Sequence, residues 1–443
     1  MTRRGPSIMA VILLLGMMCG SARAAYDTGG VVKTILSNGL TILVRREPEA
    51  RTAAIEIFVR VGAADETEQN MGIGQLLAGS ILAGNESHSD TKLARLVSEV
   101  GGNFHAVWQW NYLEIYAVTS PQTCEEAIGL LAETIQNSKL DPAAIEYSRS
   151  SILKESRRQE DDPFNCAYTA LRRLVHWNTA YDRLYLGDSD KIKAITPQQL
   201  KEFYKKSFSP NRIVISVVGD IDPQSVTHKI EAVFGNMILQ SKQPADAKPS
   251  KAGAALLMLK KASPITYVML GYPAAGVDDS DYPAMSVANV LLGGNKSSLM
   301  FTKLREERGF GYQVGSLYPA LRGGSHIAAY LGMDSARVTP DFLKVVKEAM
   351  LEQVSTLRSS GFSDEDLERA KKYLIGSHAL RHERTRDRAF YLGWNETIGL
   401  GYQQDFQQAE MIKKVSRADI ERVCARFLNT PAVVILSDKG TLD

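Results

Sequence analysis

ITPQQLKEFYKKSFSPNRIVISVVGD, residues 195–220, and VSRADIERVCARFLNTPAVVILSD, residues 415–438, decide the architecture. At an offset of 220 residues Thr196 meets Ser416, Leu200 meets Ile420, and Phe203 and Tyr204 meet Val423 and Cys424. Phe208 then meets Leu428, and Val214 and Ile215 meet Val434 and Ile435. Thr196 and Ser416 are hydroxyl residues of the kind that cap a helix N-terminus, and the apolar spacing behind them is helical. The β-branched run closing each copy predicts a buried strand. One helix-then-strand unit therefore occurs twice, the mark of a tandem duplication.

Two further segments match at similar offsets. DPAAIEYSRSSIL (141–153) pairs with SDEDLERAKKYLI (363–375), each a capping residue leading an amphipathic helix. Leu82-Ala83-Gly84-Asn85 pairs with Leu292-Gly293-Gly294-Asn295 at the end of an earlier helix. Strand-like runs fall at 40–46, 54–61, 112–119 and 212–219, and again at 265–272, 312–317, 326–333 and 432–437. Helical patterns lie between them, so each half is expected to be a sheet layered with helices, α+β in class. The halves are expected at 31–239 and 254–443, joined by the polar linker QSKQPADAKPSKAG (240–253). A length of 443 residues also exceeds what one core sustains.

A hydrophobic content of 44% with 23% charge excludes a disordered or collagen-like chain. Residues 1–24 carry Arg3 and Arg4, an apolar run from Ile8 to Met18, then Ala22 and Ala24. This is the pattern of a cleaved secretory signal peptide, too short in its apolar part to serve as a stable membrane anchor. Its removal takes away three arginines and no acid, moving the formal charge from +2 to −1. That balance disfavours a nucleic-acid partner. A periplasmic or secreted location is expected. Cys124, Cys166 and Cys424 are too widely spaced for a metal pattern or a disulfide framework and read as small buried residues.

IFVRVGAADETEQNMGIGQLLAGSILAGN, residues 57–85, reads as strand, polar turn and helix. Together with the duplicated plan, it resembles the pitrilysin family of zinc peptidases, the inverzincins, to which mitochondrial processing peptidase and insulysin belong. The resemblance implies two homologous sheet-plus-helix domains in tandem. Active members carry H-x-x-E-H on this helix: two histidines on one face bind zinc and the glutamate activates a water. The matching positions here are Gln75, Ala78 and Gly79. Ala78 and Gly79 offer neither a ligand nor a base, and the amide of Gln75 is a poor ligand. The family's third ligand falls on Glu155, which shares a helix face with the apolar Ile152. One carboxylate cannot hold a zinc that needs three protein ligands, so Glu155 reads as a relic or a structural acid. No metal or other cofactor is expected in this chain, and no catalytic residue of its own.

LLGGNKSSLMFTKLREERGFGYQVGS, residues 291–316, is similar to the family's G-G-x-x-S-S-x-L…L-R-E-x-x-G-x-x-Y segment. There an arginine and a tyrosine seven residues apart bind the substrate backbone and steady an oxyanion opposite the zinc. Arg305 and Tyr312 occupy those positions. Both side chains are suitable donors to a carbonyl oxygen gaining negative charge. Taken alone, Arg305 is one more charge in KLREER and Tyr312 the start of a strand. The matching glycines and serines favour the functional reading, with Gly309 and Gly311 forming a turn that delivers Tyr312 to its strand.

His378 and His382 (HALRH) are spaced as two ligands on one helix face. The mixed-charge run RHERTRDR around them reads as a solvated face, and no carboxylate lies between them, so a structural role is preferred. His88, His105, His176, His228 and His326 are scattered and point to nothing together. Loss of the zinc half and retention of the substrate-binding half resembles the non-catalytic subunits of heterodimeric members. The expectation is an exported zinc-free subunit that pairs with a catalytic homologue carrying H-x-x-E-H and its zinc. The pair would close a chamber on an unfolded peptide, bound partly by strand addition. The alternative is a structural or peptide-binding scaffold with no part in proteolysis.

Overall fold

The computed structural model describes residues 29–239 and 255–439; the expected signal peptide and linker lie outside them. Eleven strands are described: β1 Val31–Ile35, β2 Thr41–Arg46, β3 Ala53–Val59, β4 Phe104–Trp108, β5 Leu113–Thr119 and β6 Ile213–Gly219, then β7 Ala255–Lys260, β8 Ile265–Ala274, β9 Gln313–Leu317, β10 Ser325–Asp334 and β11 Ala432–Ser437. They form one sheet of order β1-β2-β6-β3-β5-β4 and another of order β7-β11-β8-β10-β9. Setting β1 aside, the two orders coincide strand for strand, and so do the directions. β2 runs parallel to β6 as β7 does to β11, and the remaining neighbours are antiparallel. The duplication read from the repeats is thus a duplication of topology.

The four repeated helix starts are capped as their sequences predict. Thr196 Oγ1 accepts from Gln199 N at 3.2 Å while Gln199 Oε1 accepts from Thr196 N at 2.9 Å. Ser416 and Asp419 form the same reciprocal pair, and so do Ser363 and Asp366. Asp141 accepts from Ala143 N at 2.8 Å. Each such cap contributes about 1 kcal/mol.

The inner strands of both sheets are buried on both faces, and alternation along a strand shows what covers each. In β3, Ile55, Ile57 and Val59 point into the first half's own core with Leu76, Leu131 and Ile230. Ala54 and Phe58 point the other way, onto Ala389 and Leu392. Those residues belong to helix Thr385–Thr397 of the second half. Reciprocally, Val434 and Leu436 of β11 pack on Leu171 and Val175 of helix Pro163–Val175, which the first half contributes. The two crossing helices are repeat equivalents: each follows the long amphipathic helix, Pro142–Asp161 in one half and Asp364–Arg381 in the other. The halves therefore exchange a helix and lock together. The approach is close: a Cβ on Gly271 of β8 would stand 2.6 Å from Val175, and one on Gly393 would stand 2.5 Å from Phe58. A buried charge cluster seals one side, where Arg386 of the crossing helix pairs with Glu56 at 3.2 Å and also with Glu114. Burial, then the neighbouring Glu114 charge, holds the Glu56 carboxyl well above its ordinary value.

Sequence reasoning missed β1, β4 and β7. All three lie at a sheet edge, where half-exposed residues blur the apolar alternation that identifies inner strands. Among the described residues no helix is long and apolar enough to cross a membrane.

Candidate functional site

Helix Ile73–Ser80, the counterpart of the zinc helix, begins on a special backbone. Gly72 has φ +96, and the Glu66 carboxylate accepts from Gly72 N at 2.8 Å and Gly74 N at 3.0 Å. An acid at a helix N-terminus satisfies orphan amides and suits the dipole. Burial nonetheless pushes Glu66 up to about 7, against those two bonds. Further along, Gln75 Nε2 donates to the Tyr185 carbonyl at 3.3 Å, so the first ligand position is spent on a tether. Ala78 is buried in the core. A Cβ on Gly79 would clash with Ser148 Oγ and lie 2.9 Å from Ser148 Cβ. The helix has closed onto helix Pro142–Asp161 to a distance that suits glycine.

Glu155 sits two turns beyond Ser148 on that long helix. Its carboxylate accepts from Arg158 at 2.6 and 2.7 Å and from Gln159 at 3.2 Å. The Arg158 hydrogen bonds hold it below the usual carboxylate range. It is partly exposed and paired with a cation, so the expected apolar face does not extend to it.

Between the halves lies a cavity of about 310 Å³ lined by Gln159, Tyr168, Arg172, Tyr185 and His326 among others. Tyr185 and Gln159 are the residues that hold Gln75 and Glu155, so the degenerate helix pair borders this cavity. Arg172 is fixed by the carbonyls of Arg183, at 2.7 Å, and Tyr181, and its burial lowers it to about 10. Two histidines that looked unrelated in sequence meet here. His176 Nε2 and His326 Nδ1 are 2.9 Å apart, and Tyr168 Oη lies 3.0 Å from His326 Nε2. Both rings are buried, which depresses them: His176 to about 3, with a smaller push from Arg172, and His326 likewise far below its ordinary value. This neutral pair bolts one half to the other. Its partners stand 150 residues apart, so spacing could not reveal it.

Arg305 and Tyr312 come together, away from that cavity. Arg305 Nη1 donates to the Tyr312 carbonyl at 2.9 Å, and the guanidinium lies 5.6 Å from the Tyr312 ring and 4.7 Å from that of Phe301. Gly309 at φ +60 makes the expected turn. Gly311 passes so close to the Gly332 carbonyl that no Cβ fits there. Tyr312 is 82% exposed and stands just before β9, an edge strand that among the described residues pairs with β10 alone. Among the described residues its phenol oxygen has no hydrogen bond. The segment before it, Phe301–Glu307, is π-helical, an irregularity frequent at functional sites.

The remaining histidine pair also departs from expectation. His378 and His382 do not form a solvated face: both are half-buried against Asp405, which is itself buried. His382 Nε2 lies 2.9 Å from each Asp405 oxygen and His378 Nε2 3.8 Å from Oδ1. Burial lowers both rings, but for His382 the bond to Asp405 and its charge outweigh burial, and the ring is raised overall. The carboxylate that the sequence lacked between the histidines arrives from a later helix.

Residues 41–183 match the family description "Insulinase (Peptidase family M16)", and residues 194–374 match "Peptidase M16 inactive domain". An "uncharacterized zinc protease" of Streptomyces coelicolor is 27% identical over 370 residues, 82% of this chain and 80% of the relative. The "uncharacterized zinc protease YmxG" of Bacillus subtilis is 25% identical over 409 residues, 91% of this chain and 98% of the relative. Among solved structures, a protease from Helicobacter pylori superposes with a TM-score of 0.84 at 18% identity, over 92% of this chain and 99% of that one. A peptidase M16 inactive domain from Pseudomonas fluorescens gives 0.81 at 20%, over 93% and 98%.

Proposed function

The chain belongs to peptidase family M16, and from that premise we propose that it is an exported, zinc-free subunit that supplies Arg305 and Tyr312 to a peptide-cleaving site shared with a zinc-bearing homologue. The observation that carries this reading is the contrast between its two half-sites. The zinc half is closed: Gln75 is tethered to Tyr185, and Gly79 leaves no room beside Ser148. The other half is open and ready. Arg305 is braced by the Tyr312 carbonyl, and the exposed Tyr312 phenol, just before the edge strand β9, has no partner in its own chain among the described residues. An exposed tyrosine held by an arginine offers two donors to an oxyanion that another chain's zinc generates. As an edge strand, β9 supports strand addition by an extended peptide.

Export rests on residues 1–24, and sequencing the mature N-terminus tests it, with Ala25 expected first. Pairing is tested by co-expression with a zinc-bearing M16 homologue from the same genome. The expected result is a complex that cleaves an unstructured peptide neither chain cleaves alone. A homologue fully active by itself, which this chain neither binds nor accelerates, would leave the scaffold reading in its place.

A further inference from the structure

We propose that His378, His382 and Asp405 form a binding site for a divalent first-row transition-metal ion of zinc type, distinct from the family's degenerate site at Gln75. Their ligand atoms all lie within 4.8 Å of one another. In a tetrahedral site with bonds of about 2.0–2.1 Å, ligand atoms stand about 3.3 Å apart. The observed separations from Asp405, 2.9 Å to His382 Nε2 and 3.8 Å to His378 Nε2, bracket that value. Small side-chain rotations bring the three onto one ion.

Hydrogen bonding strengthens the case. His382 Nδ1 lies 2.7 Å from the His378 main-chain carbonyl, which can only accept, so Nδ1 carries the hydrogen. In the neutral ring Nε2 then presents a lone pair, and it faces a carboxylate that also only accepts. Two acceptors at 2.9 Å require a cation between them, either a proton or a metal. Among the described residues the ion-pair partners of Asp405 are the two histidines, so no lysine or arginine neutralises it. An Nδ1–H donated to a backbone carbonyl is also the outer contact that orients a metal-binding histidine. Tyr391 stacks on the His382 ring at 4.8 Å and limits its rotation. The opposing charge is Arg381, whose guanidinium is drawn off over the Tyr391 ring at 5.8 Å.

The placement gives the ion a role. His378 lies on helix Asp364–Arg381, His382 caps its C-terminus, and Asp405 lies on helix Gln404–Lys414. Helix Thr385–Thr397, which crosses to cover the first half's sheet, runs between them. A metal here clamps both ends of the crossing helix.

The test uses the full mature chain, stripped with a chelator and titrated with Co²⁺ and Zn²⁺. One Co²⁺ per chain with the intense visible bands of tetrahedral coordination is expected, displaced by Zn²⁺, with a melting temperature that climbs with metal concentration. His378→Gln, His382→Gln and Asp405→Asn, each checked as folded by circular dichroism, should each abolish the bands. Gln75→Ala and Glu155→Ala should leave them unchanged. A folded wild-type chain that takes up no Co²⁺ would show that a proton alone bridges His382 and Asp405 and would overturn the proposal. So would binding that survives His382→Gln.

Discussion

Replacing Gly79 by alanine tests whether the helix Ile73–Ser80 has closed onto its neighbour to a distance that only glycine fits. In an exposed helix interior, glycine to alanine stabilises by about 1 kcal/mol. Here the added methyl would clash with Ser148 Oγ and stand 2.9 Å from Ser148 Cβ. Rotating the serine hydroxyl away relieves the first contact and leaves the second, well inside the ~3.5–4.0 Å of a favourable carbon pair. The helices must then part by about 0.5–1 Å, and overpacking of this kind costs about 1–3 kcal/mol. The net expectation is a loss of up to about 2 kcal/mol, opposite in sign to the propensity effect. Ser148→Gly removes both offending atoms, and Ser148 Cα is already at an ordinary 3.8 Å. Urea denaturation of the two single variants and the double should therefore give a favourable coupling of about 1–2 kcal/mol. A Gly79→Ala chain as stable as an ordinary helix predicts, uncoupled from Ser148, would show that the two helices are not in tight contact at this point. The same geometry governs reconstruction of the metal site. Gln75→His, Ala78→Glu and Gly79→His should yield a zinc site only when Ser148→Gly accompanies them, as read by metal uptake in a chain that also carries His382→Gln.

The junction between the halves supplies the other expectations. His176 is held neutral to about 3, whereas an unfolded histidine titrates near 6.5, so the unfolded chain alone takes up that proton as the pH falls. The stability the neutral ring contributes is present above 6.5 and is lost on acidification, by about 2 kcal/mol between pH 7 and pH 5. His176→Gln should therefore gain that much relative to wild type over the interval in paired urea titrations. Leu171 belongs to the first half but packs on the second half's sheet. Leu171→Ala should cost about 2–5 kcal/mol and raise amide exchange in β8 and β11 in particular. Arg305→Ala should leave that stability unchanged, because its guanidinium serves a surface tyrosine; thermal melts of the purified chain check this.

The inner strands and the repeated helix starts were legible because they depend on local rules. A hydroxyl or acid before a helix and a β-branched run in a buried strand mean the same wherever they fall, so Thr196, Ser416, Ile213–Gly219 and Ala432–Ser437 read correctly. The exchange of helices was not legible. An amphipathic helix such as Thr385–Thr397 declares that it has a buried face, and no periodicity states which sheet that face will find. The same limit hid the histidine clusters. His176 and His326 are brought together by the exchange itself, and Asp405 reaches His382 from 23 residues further on. The charged run around His382 read as solvated because charge pattern is blind to a helix folding back over it. At the candidate site, Arg305 and Tyr312 were found by resemblance to a family segment. The structure adds the bond between them and the exposure of the phenol. Glu66, which seats the degenerate helix, gave no signal beyond an acid in a polar turn.

If this chain completes an active site whose zinc another chain holds, Tyr312→Phe should cripple that site while leaving the rest of the protein alone. The substitution removes one hydroxyl from a residue that is 82% exposed and has no hydrogen bond at that oxygen among the described residues, so folding and assembly should be unaffected. In the complex with the zinc-bearing homologue, loss of one oxyanion donor should reduce kcat about a hundred- to a thousand-fold with KM little changed. An assembled Tyr312→Phe complex that cleaves peptide at the wild-type rate would contradict the shared site.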